Sequence, residues 1–204
     1  MAGNIKIKKK NLLIFSVIII LVAVISISFL FNSSVSTIEQ SDLQNLDAET
    51  RFAVLSEQRQ ATNSCGGGKS YVNQLSEDGT RIRGSCCSAM VFHSYVEQTE
   101  GLEKYSEYEI IPSDPYDVSA KWAQEMIEYT EETSLNQEQQ KIYNEAIEMS
   151  HEGGPCCCKC WHWYAYEGLA KHLIINEGFS SEQIAEIWDL SDACGGDGHH
   201  HEHG

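Results

Sequence analysis

The residues most able to do chemistry in this 204-residue chain are its eight cysteines. Four of them crowd into positions 156–160, and two more are adjacent at Cys86 and Cys87. Vicinal cysteines seldom bridge each other, because a disulfide needs a particular Cα separation and S–S torsion. A soft metal ion, in contrast, is held by thiolates gathered close together. The spacing therefore favours a metal site, with copper as Cu(I) the first choice, zinc the second and a thiophilic metal such as mercury the third.

The cysteine positions suggest how the ligands are presented. Pro155 predicts the start of a helix whose first turn carries the next three cysteines, and free backbone N–H groups stabilise thiolates there. If this segment is instead extended, Cys156, Cys158 and Cys160 lie on one side of it, and the sulfurs converge in both conformations. A second set has the i, i+4, i+7 spacing of one face of a predicted helix over residues 85–100. Two further cysteines precede glycine runs, where they could complete the site or form one disulfide. The candidate metal ligands are Cys156, Cys157, Cys158, Cys160, Cys86, Cys87, Met90, His93, Cys194 and Cys65.

The segment from Pro155 to Cys160 resembles the Pro-Cys-Tyr-Cys-Gly-Cys hexapeptide of a group of uncharacterised, cysteine-rich bacterial proteins, often lipoproteins. The proline and the cysteines at positions 156, 158 and 160 match, whereas Cys157 and Lys159 replace the tyrosine and the glycine. This chain also lacks a lipoprotein cysteine. The resemblance implies a mostly helical protein that binds metal by its cysteine chemistry, without implying an established activity.

Two other functions stay open on the sequence alone. One is a disulfide-locked structural or interaction module, and the other is a thiol oxidoreductase that uses the C-x-x-C spacing of Cys157 and Cys160. The oxidoreductase motif normally lies in a βαβ unit, which a helical chain does not provide. No Ser-His-Asp order, paired buried carboxylates or H-E-x-x-H motif supports hydrolysis. The sequence thus gives no positive sign of an enzyme.

Charge and hydropathy indicate where the protein acts. The chain has 14 basic and 30 acidic side chains, for a net charge of −16. Nucleic acid is excluded as a partner, because phosphate binding needs clustered Lys and Arg. Four lysines at positions 6–10 precede an apolar stretch at residues 12–31, which is long enough to cross a membrane. We expect a single-pass anchor with a cytoplasmic N-terminus and an extracytoplasmic remainder, with a cleaved signal peptide as the alternative.

The pattern of elements predicts a mainly α fold: a small helical domain with a short β-hairpin within 71–84, after one transmembrane helix. Helices are predicted from Asp114-Pro115, after Asn136, from Pro155 to about Asn176, and from Ser181. The predicted divisions are a cytoplasmic end and anchor at 1–33, a helical stalk at 34–63, a cysteine-rich domain at 64–196 and a disordered His-rich tail at 197–204. The tail is expected to collect metal loosely, and a protein partner for metal transfer is expected.

Overall fold

The computed structural model describes residues 43, 45–58 and 68–195. The chain divides into two compact units, residues 1–46 and 47–204. In the first unit the Leu46 amide donates to the Leu43 carbonyl at 3.1 Å. The predicted membrane segment at 12–31, Cys65 and the His-rich tail lie outside the described residues. None of the helices in the described part is both long and apolar enough to span a membrane.

The prediction of a mainly helical fold is confirmed for the described part of the chain. The second unit contains helices α1 to α7, two strands, a 3₁₀ turn and a π-helical turn. In chain order these are α1 (Ala48–Glu57), α2 (Gly68–Val72), β1 (Arg81–Arg83), α3 (Phe92–Leu102), the 3₁₀ turn (Glu103–Tyr105), β2 (Asp117–Ser119), α4 (Ala120–Glu132), α5 (Gln137–Met149), α6 (Trp161–His172), the π-helical turn (Leu173–Glu177) and α7 (Ser181–Leu190).

Capping side chains fix the start of α5 and α7, as the sequence indicates. Asn136 begins α5 with a capping box that includes Gln139, and Ser180 begins α7 in the same way. Gly178 ends the π-helical turn in the left-handed conformation, at φ +68°, which is typical of a glycine after a helix. The predicted boundaries around residues 136 and 178 are therefore confirmed.

The predicted β-hairpin is wrong. β1 pairs instead with the distant β2, in an antiparallel register that places Ile82 opposite Val118. The pairing is reinforced by Asp117, whose carboxylate accepts from the guanidinium groups of both Arg81 and Arg83. These ion pairs stabilise the pairing of two distant segments. The predicted turn therefore lies between α2 and β1 and does not join two strands.

The helix predicted from Asp114-Pro115 starts later than expected. The Asp114 carboxylate accepts from the Tyr95 hydroxyl and from the Tyr116 backbone N–H, which holds this segment in a turn. The chain then forms β2, and Ser119 caps α4 by accepting from the Trp122 N–H at 3.0 Å. Asp114 therefore stabilises a turn, and Ser119 is the N-cap residue of the helix.

Two helix predictions around the cysteines are also wrong at their N-terminal ends. α3 begins only at Phe92, because the amides of Cys86 and Cys87 donate to the 193–194 segment instead of forming helical bonds. α6 begins only at Trp161, with Cys160 as its N-cap residue. The cysteines of both segments consequently lie in loops rather than on helix faces.

The packing of α6 against α4 fixes the position of this N-cap. Gly168 allows the contact, since a Cβ at this position would lie 1.9 Å from the Met126 carbonyl oxygen. Trp161 and Leu169 are fully buried on the same helix, and the Trp188 indole N–H donates to the Tyr166 carbonyl at 3.2 Å. The start of α6, which carries the cysteines, is thus anchored in the centre of the core.

Candidate metal centre

Three loops bring the described cysteines together, and we call them the first loop (residues 84–88), the second loop (154–160) and the third loop (191–195). The first loop joins β1 to α3, the second joins α5 to α6, and the third follows α7. None of the seven cysteines within the described residues is in a disulfide. Loops distant in sequence therefore converge on one group of thiols.

The sulfur atoms lie close enough to share metal ions. Cys156 Sγ and Cys157 Sγ lie 2.8 and 3.3 Å from Cys194 Sγ, which links the second and third loops. Cys87 Sγ lies 3.9 Å from Cys158 Sγ, which links the first loop to the second. Ligands bound at ~2.3 Å in a tetrahedral zinc site are ~3.8 Å apart. The Cys87–Cys158 pair already has this separation, and the two shorter pairs would have to open slightly on metal binding.

Three overlapping groups of ligand atoms follow from this geometry, and in each the atoms lie within 4.8 Å of one another. The groups are Cys87, Cys157, Cys158 and Cys194; Cys156, Cys158 and Cys160; and Cys156, Asp192 and Cys194. The first group has the number of sulfurs that a structural zinc site uses, and the second has the number that Cu(I) accepts. The cysteine cluster can therefore hold a soft metal ion.

Electrostatics within the cluster single out Cys160. It accepts S–H hydrogen bonds from Cys156 and Cys86 and a backbone bond from Trp163, and these hold the pKa of its thiol well below its usual range. The sulfur also lies at the N-cap of α6, where the helix dipole favours a negative charge. Donation to Cys160 and burial raise the pKa of Cys86 and of Cys156. Among these three cysteines, Cys160 is therefore the one whose thiolate the surroundings favour.

Backbone hydrogen bonds hold the first and third loops in register. The Cys86 amide donates to the Ala193 carbonyl at 2.8 Å, and the Ser88 amide donates to the Cys194 carbonyl at 2.7 Å. Gly195 permits this approach: its φ is +75°, and a Cβ there would lie 2.4 Å from the Ser88 carbonyl oxygen. The two loops therefore behave as one rigid edge of the site.

Asp192 fixes the third loop from its other side. Its carboxylate accepts from the Cys194 amide at 3.0 Å, and its backbone carbonyl accepts from the Gln98 side chain at 2.7 Å and from the Tyr116 hydroxyl at 3.2 Å. The Tyr116 hydroxyl also lies 2.8 Å from the Gln98 amide oxygen. These contacts connect α3 and the start of β2 to the cluster, and they position Cys194.

Removing this support is expected to weaken metal binding without removing a ligand. Gln98→Ala leaves the Asp192 carbonyl with only the longer bond, so the third loop loses one of the contacts that position Cys194. Loss of such a supporting partner typically costs ~10–100-fold in metal affinity, and we expect Gln98→Ala to fall in this range. Competition with a chromophoric chelator would measure the change. Gln124→Ala, whose side chain donates to carbonyls of the α2 segment, is the matched control, and an equal loss of affinity there would contradict the positioning role.

An aromatic shell closes the buried side of the cluster. His162 is fully buried, and its ring stacks on Tyr166 with centroids 4.1 Å apart. Burial lowers the pKa of His162, which favours the neutral imidazole beside Cys160. The Gly154 backbone lies against the Trp163 ring. Water is thereby kept away from the inner sulfurs.

The structure brings some predicted ligands together and places others elsewhere. Six cysteines of the three loops enter the ligand groups, whereas Cys86 enters none of them and is hydrogen-bonded to Cys160. Met90 is buried among Leu55, Tyr95 and Tyr116 in a separate apolar cluster, and the exposed His93 belongs to none of the ligand groups. The helix face that was predicted to join Cys86 to these two residues does not form, because residues 85–91 are not helical.

Sequence reasoning missed Asp192, Gln98 and Tyr116. The Asp-x-Cys spacing before Cys194 is a usable signal for the first, because an aspartate often accepts from the amide two residues later. Gln98 and Tyr116 carry no local signal.

Comparison with protein-family models, with curated proteins and with solved structures found no match to this chain. The resemblance to the hexapeptide group stays a prediction.

Proposed function

We propose that this protein binds a soft transition-metal ion, Cu(I) first and zinc second, and that it captures, stores or delivers the ion outside the cell membrane. The observation that carries the proposal is the convergence of thiols from three distant loops on overlapping ligand groups. Packing of the core does not by itself require so many thiols to lie in contact with one another. Bound metal would replace the thiol protons.

The donor set supports copper over harder metals. Two of the three ligand groups contain only sulfur, and the nearby His162 imidazole enters none of them. Soft thiolate donors favour Cu(I), which is satisfied by two or three of them, whereas zinc usually takes four ligands. The buried group of Cys156, Cys158 and Cys160 has three sulfurs and fits Cu(I), and the four-sulfur group explains why zinc is second.

The proposed location rests on the sequence. The lysines at 6–10 before the apolar segment 12–31 favour a cytoplasmic N-terminus and an extracytoplasmic cysteine cluster. In that position the protein would meet metal that has not yet entered the cell. The histidines at 199–203 would collect ions loosely, and a partner protein would receive them. The resemblance to cysteine-rich, often lipid-anchored proteins of bacteria supports the same location.

The proposal is tested by elemental analysis of the full chain, purified in detergent without oxygen and without an affinity tag. We expect at least one tightly held copper or zinc ion per chain, and removal of the metal by a strong chelator should lower the melting temperature. The reason is that an ion bound only to the folded state stabilises it by ~2.7 kcal/mol at 100 times its Kd. A folded, metal-free protein that takes up neither Cu(I) nor zinc when reduced would contradict the proposal.

One observation favours a second candidate, a disulfide-locked structural or interaction module. The 2.8 Å separation of Cys156 Sγ and Cys194 Sγ brings two cysteines of different loops nearly to bonding distance, and disulfides persist outside the cytoplasm. This candidate requires that the native protein contain few free thiols. Mass-spectrometric mapping of a Cys156–Cys194 bridge in the metal-free native protein would establish it.

The cluster gives less support to a thiol oxidoreductase. The cysteine with the lowered pKa is Cys160, but only 2% of its surface is exposed. Burial raises the pKa of the exposed Cys157 to about 12, with its contact to Cys194 acting in the same direction. A catalytic thiol needs both a low pKa and access to substrate, and here the two properties belong to different residues.

A further inference from the structure

The cluster is graded in its exposure to solvent. Cys157 is exposed, Cys87 and Cys158 are half-buried, and Cys156 and Cys160 are buried to within 2% of their surface. All five belong to the two all-sulfur ligand groups. One side of the cluster therefore faces water while the other lies inside the core.

The two all-sulfur groups differ in how far they reach solvent, although the outer group also contains the buried Cys194, which is 5% exposed. The outer group of Cys87, Cys157, Cys158 and Cys194 contains the exposed thiol, whereas the inner group of Cys156, Cys158 and Cys160 reaches the N-cap of α6. Cys158 belongs to both groups. A thiolate has lone pairs enough to bridge two metal ions, so the sharing of one sulfur does not limit the cluster to one ion.

Resting on the metal binding proposed above, we propose that the cluster has two subsites that share Cys158: an inner one that retains its ion and an outer one that exchanges its ion. The inner ion is coordinated by Cys156, Cys158 and Cys160, and the outer ion by Cys87, Cys157, Cys158 and Cys194. The inner subsite keeps the cluster folded. The outer subsite delivers metal.

The exposed thiolate sets the route of exchange. An incoming thiol approaches most easily where the cluster is most exposed to solvent, which is at Cys157. The bond from the ion to the incoming sulfur forms as the bond to Cys157 breaks, and the proton of the incoming thiol passes to the Cys157 sulfur. No electron is transferred and the charge of the ion is unchanged. Since Cys156 and Cys160 lie behind the outer subsite, the inner ion cannot be reached in this way while the fold is intact.

The experiment uses the reduced full chain in detergent, loaded anaerobically with Cu(I) of one stable isotope and chased with Cu(I) of the other. To remove weak binding by the tail, the histidines at 199–203 are replaced by alanine in all samples. We expect at least two copper ions per chain in two kinetic classes, one exchanging fast and one slowly. Cys157→Ser should slow the exchange of the fast class and leave the slow class unchanged, because it removes the exposed sulfur, whereas Cys160→Ser should speed the exchange of the slow class and leave the fast class unchanged.

The outcomes separate this inference from the function on which it rests. If no copper is retained, the proposed function itself fails. If copper is retained but all of it exchanges in a single phase, metal binding stands and the two subsites are wrong. Should Cys160→Ser fail to fold, the chase on the unsubstituted cysteines still decides, because the two classes are resolved without that variant. Lys159→Ser, an exposed neighbour in the same loop, should leave both classes unchanged.

Discussion

Replacing Cys158 with serine is expected to weaken metal binding more than any other single substitution in the cysteine cluster. Cys158 is a member of both all-sulfur groups, and its sulfur lies between the first and second loops, 3.9 Å from that of Cys87. A serine hydroxyl is a hard donor that does not replace a thiolate for a soft ion. The loss of affinity should exceed the ~10–100-fold that removal of a supporting residue causes.

Chelator competition on the reduced full chain measures this loss, with metal content after gel filtration as an independent readout. Lys159→Ser is the matched control, because it introduces the same side chain at the next position, which is exposed. The far-ultraviolet circular dichroism of Cys158→Ser should stay helical, since Cys158 lies outside the helices. Retention of metal with the affinity of the parent would show that the ligand groups around Cys158 are not the binding site.

The helical class and several boundaries of this protein follow from local chemistry. The capping residues Asn136 and Ser180 and the terminal Gly178 act on neighbours within a few positions, so their effect can be predicted from the sequence. The crowding of cysteines at 156–160 likewise identifies the chemistry of the site before its geometry is known.

The predictions that failed concern residues whose partners are distant in sequence. Asp114 was expected to cap a helix, but the Tyr95 hydroxyl and the Tyr116 amide hold it in a turn. Cys86 and Cys87 were expected on a helix, but their amides bond to the third loop. The bonds to the Tyr95 hydroxyl and to the third loop leave no local pattern, whereas the bond from the Tyr116 amide to Asp114 spans only two residues. The local signals predict a group of candidate ligands, whereas tertiary hydrogen bonds decide which of these candidates lie together.

The supporting residues show the same limit at the level of function. Gln98 lies on α3, and nothing in the sequence links it to a cysteine. Its side-chain amide nevertheless donates a hydrogen bond to the backbone carbonyl of Asp192, two residues before Cys194. A glutamine in a helix is most often a surface residue, and nothing in its neighbours distinguishes this one. Residues that orient a metal site can therefore be recognised only once the loops are in place.

Gly168→Ala is expected to cause the largest loss of stability, about 3 kcal/mol in the free energy of unfolding. The new Cβ would lie 1.9 Å from the Met126 carbonyl oxygen and 2.7 Å from its carbonyl carbon, so backbone meets backbone where α6 crosses α4. Relief requires that the two helices separate, and this exposes part of the core around Trp161 and Leu169. Urea unfolding followed by tryptophan fluorescence measures the change.

Gly101→Ala provides the matched control, because Gly101 is also a helical glycine, in α3. Its new Cβ would meet only the tip of the Leu190 side chain, which can rotate away, and alanine improves helix propensity by ~1 kcal/mol. We therefore expect little net change there. An equal loss of unfolding free energy in Gly168→Ala and Gly101→Ala would contradict the close backbone contact between α4 and α6.

The metal centre should respond to the same substitution, because α6 begins at Cys160. Displacement of the helix moves the Cys160 sulfur of the inner group, so Gly168→Ala should also bind metal more weakly than Gly101→Ala.

Excess metal should in turn recover part of the stability lost in Gly168→Ala, since a ligand bound only to the folded state shifts the unfolding equilibrium by mass action. Such a recovery must be absent when Cys158→Ser is combined with Gly168→Ala. If metal stabilised the double variant equally, the stabilisation would arise outside the cysteine cluster.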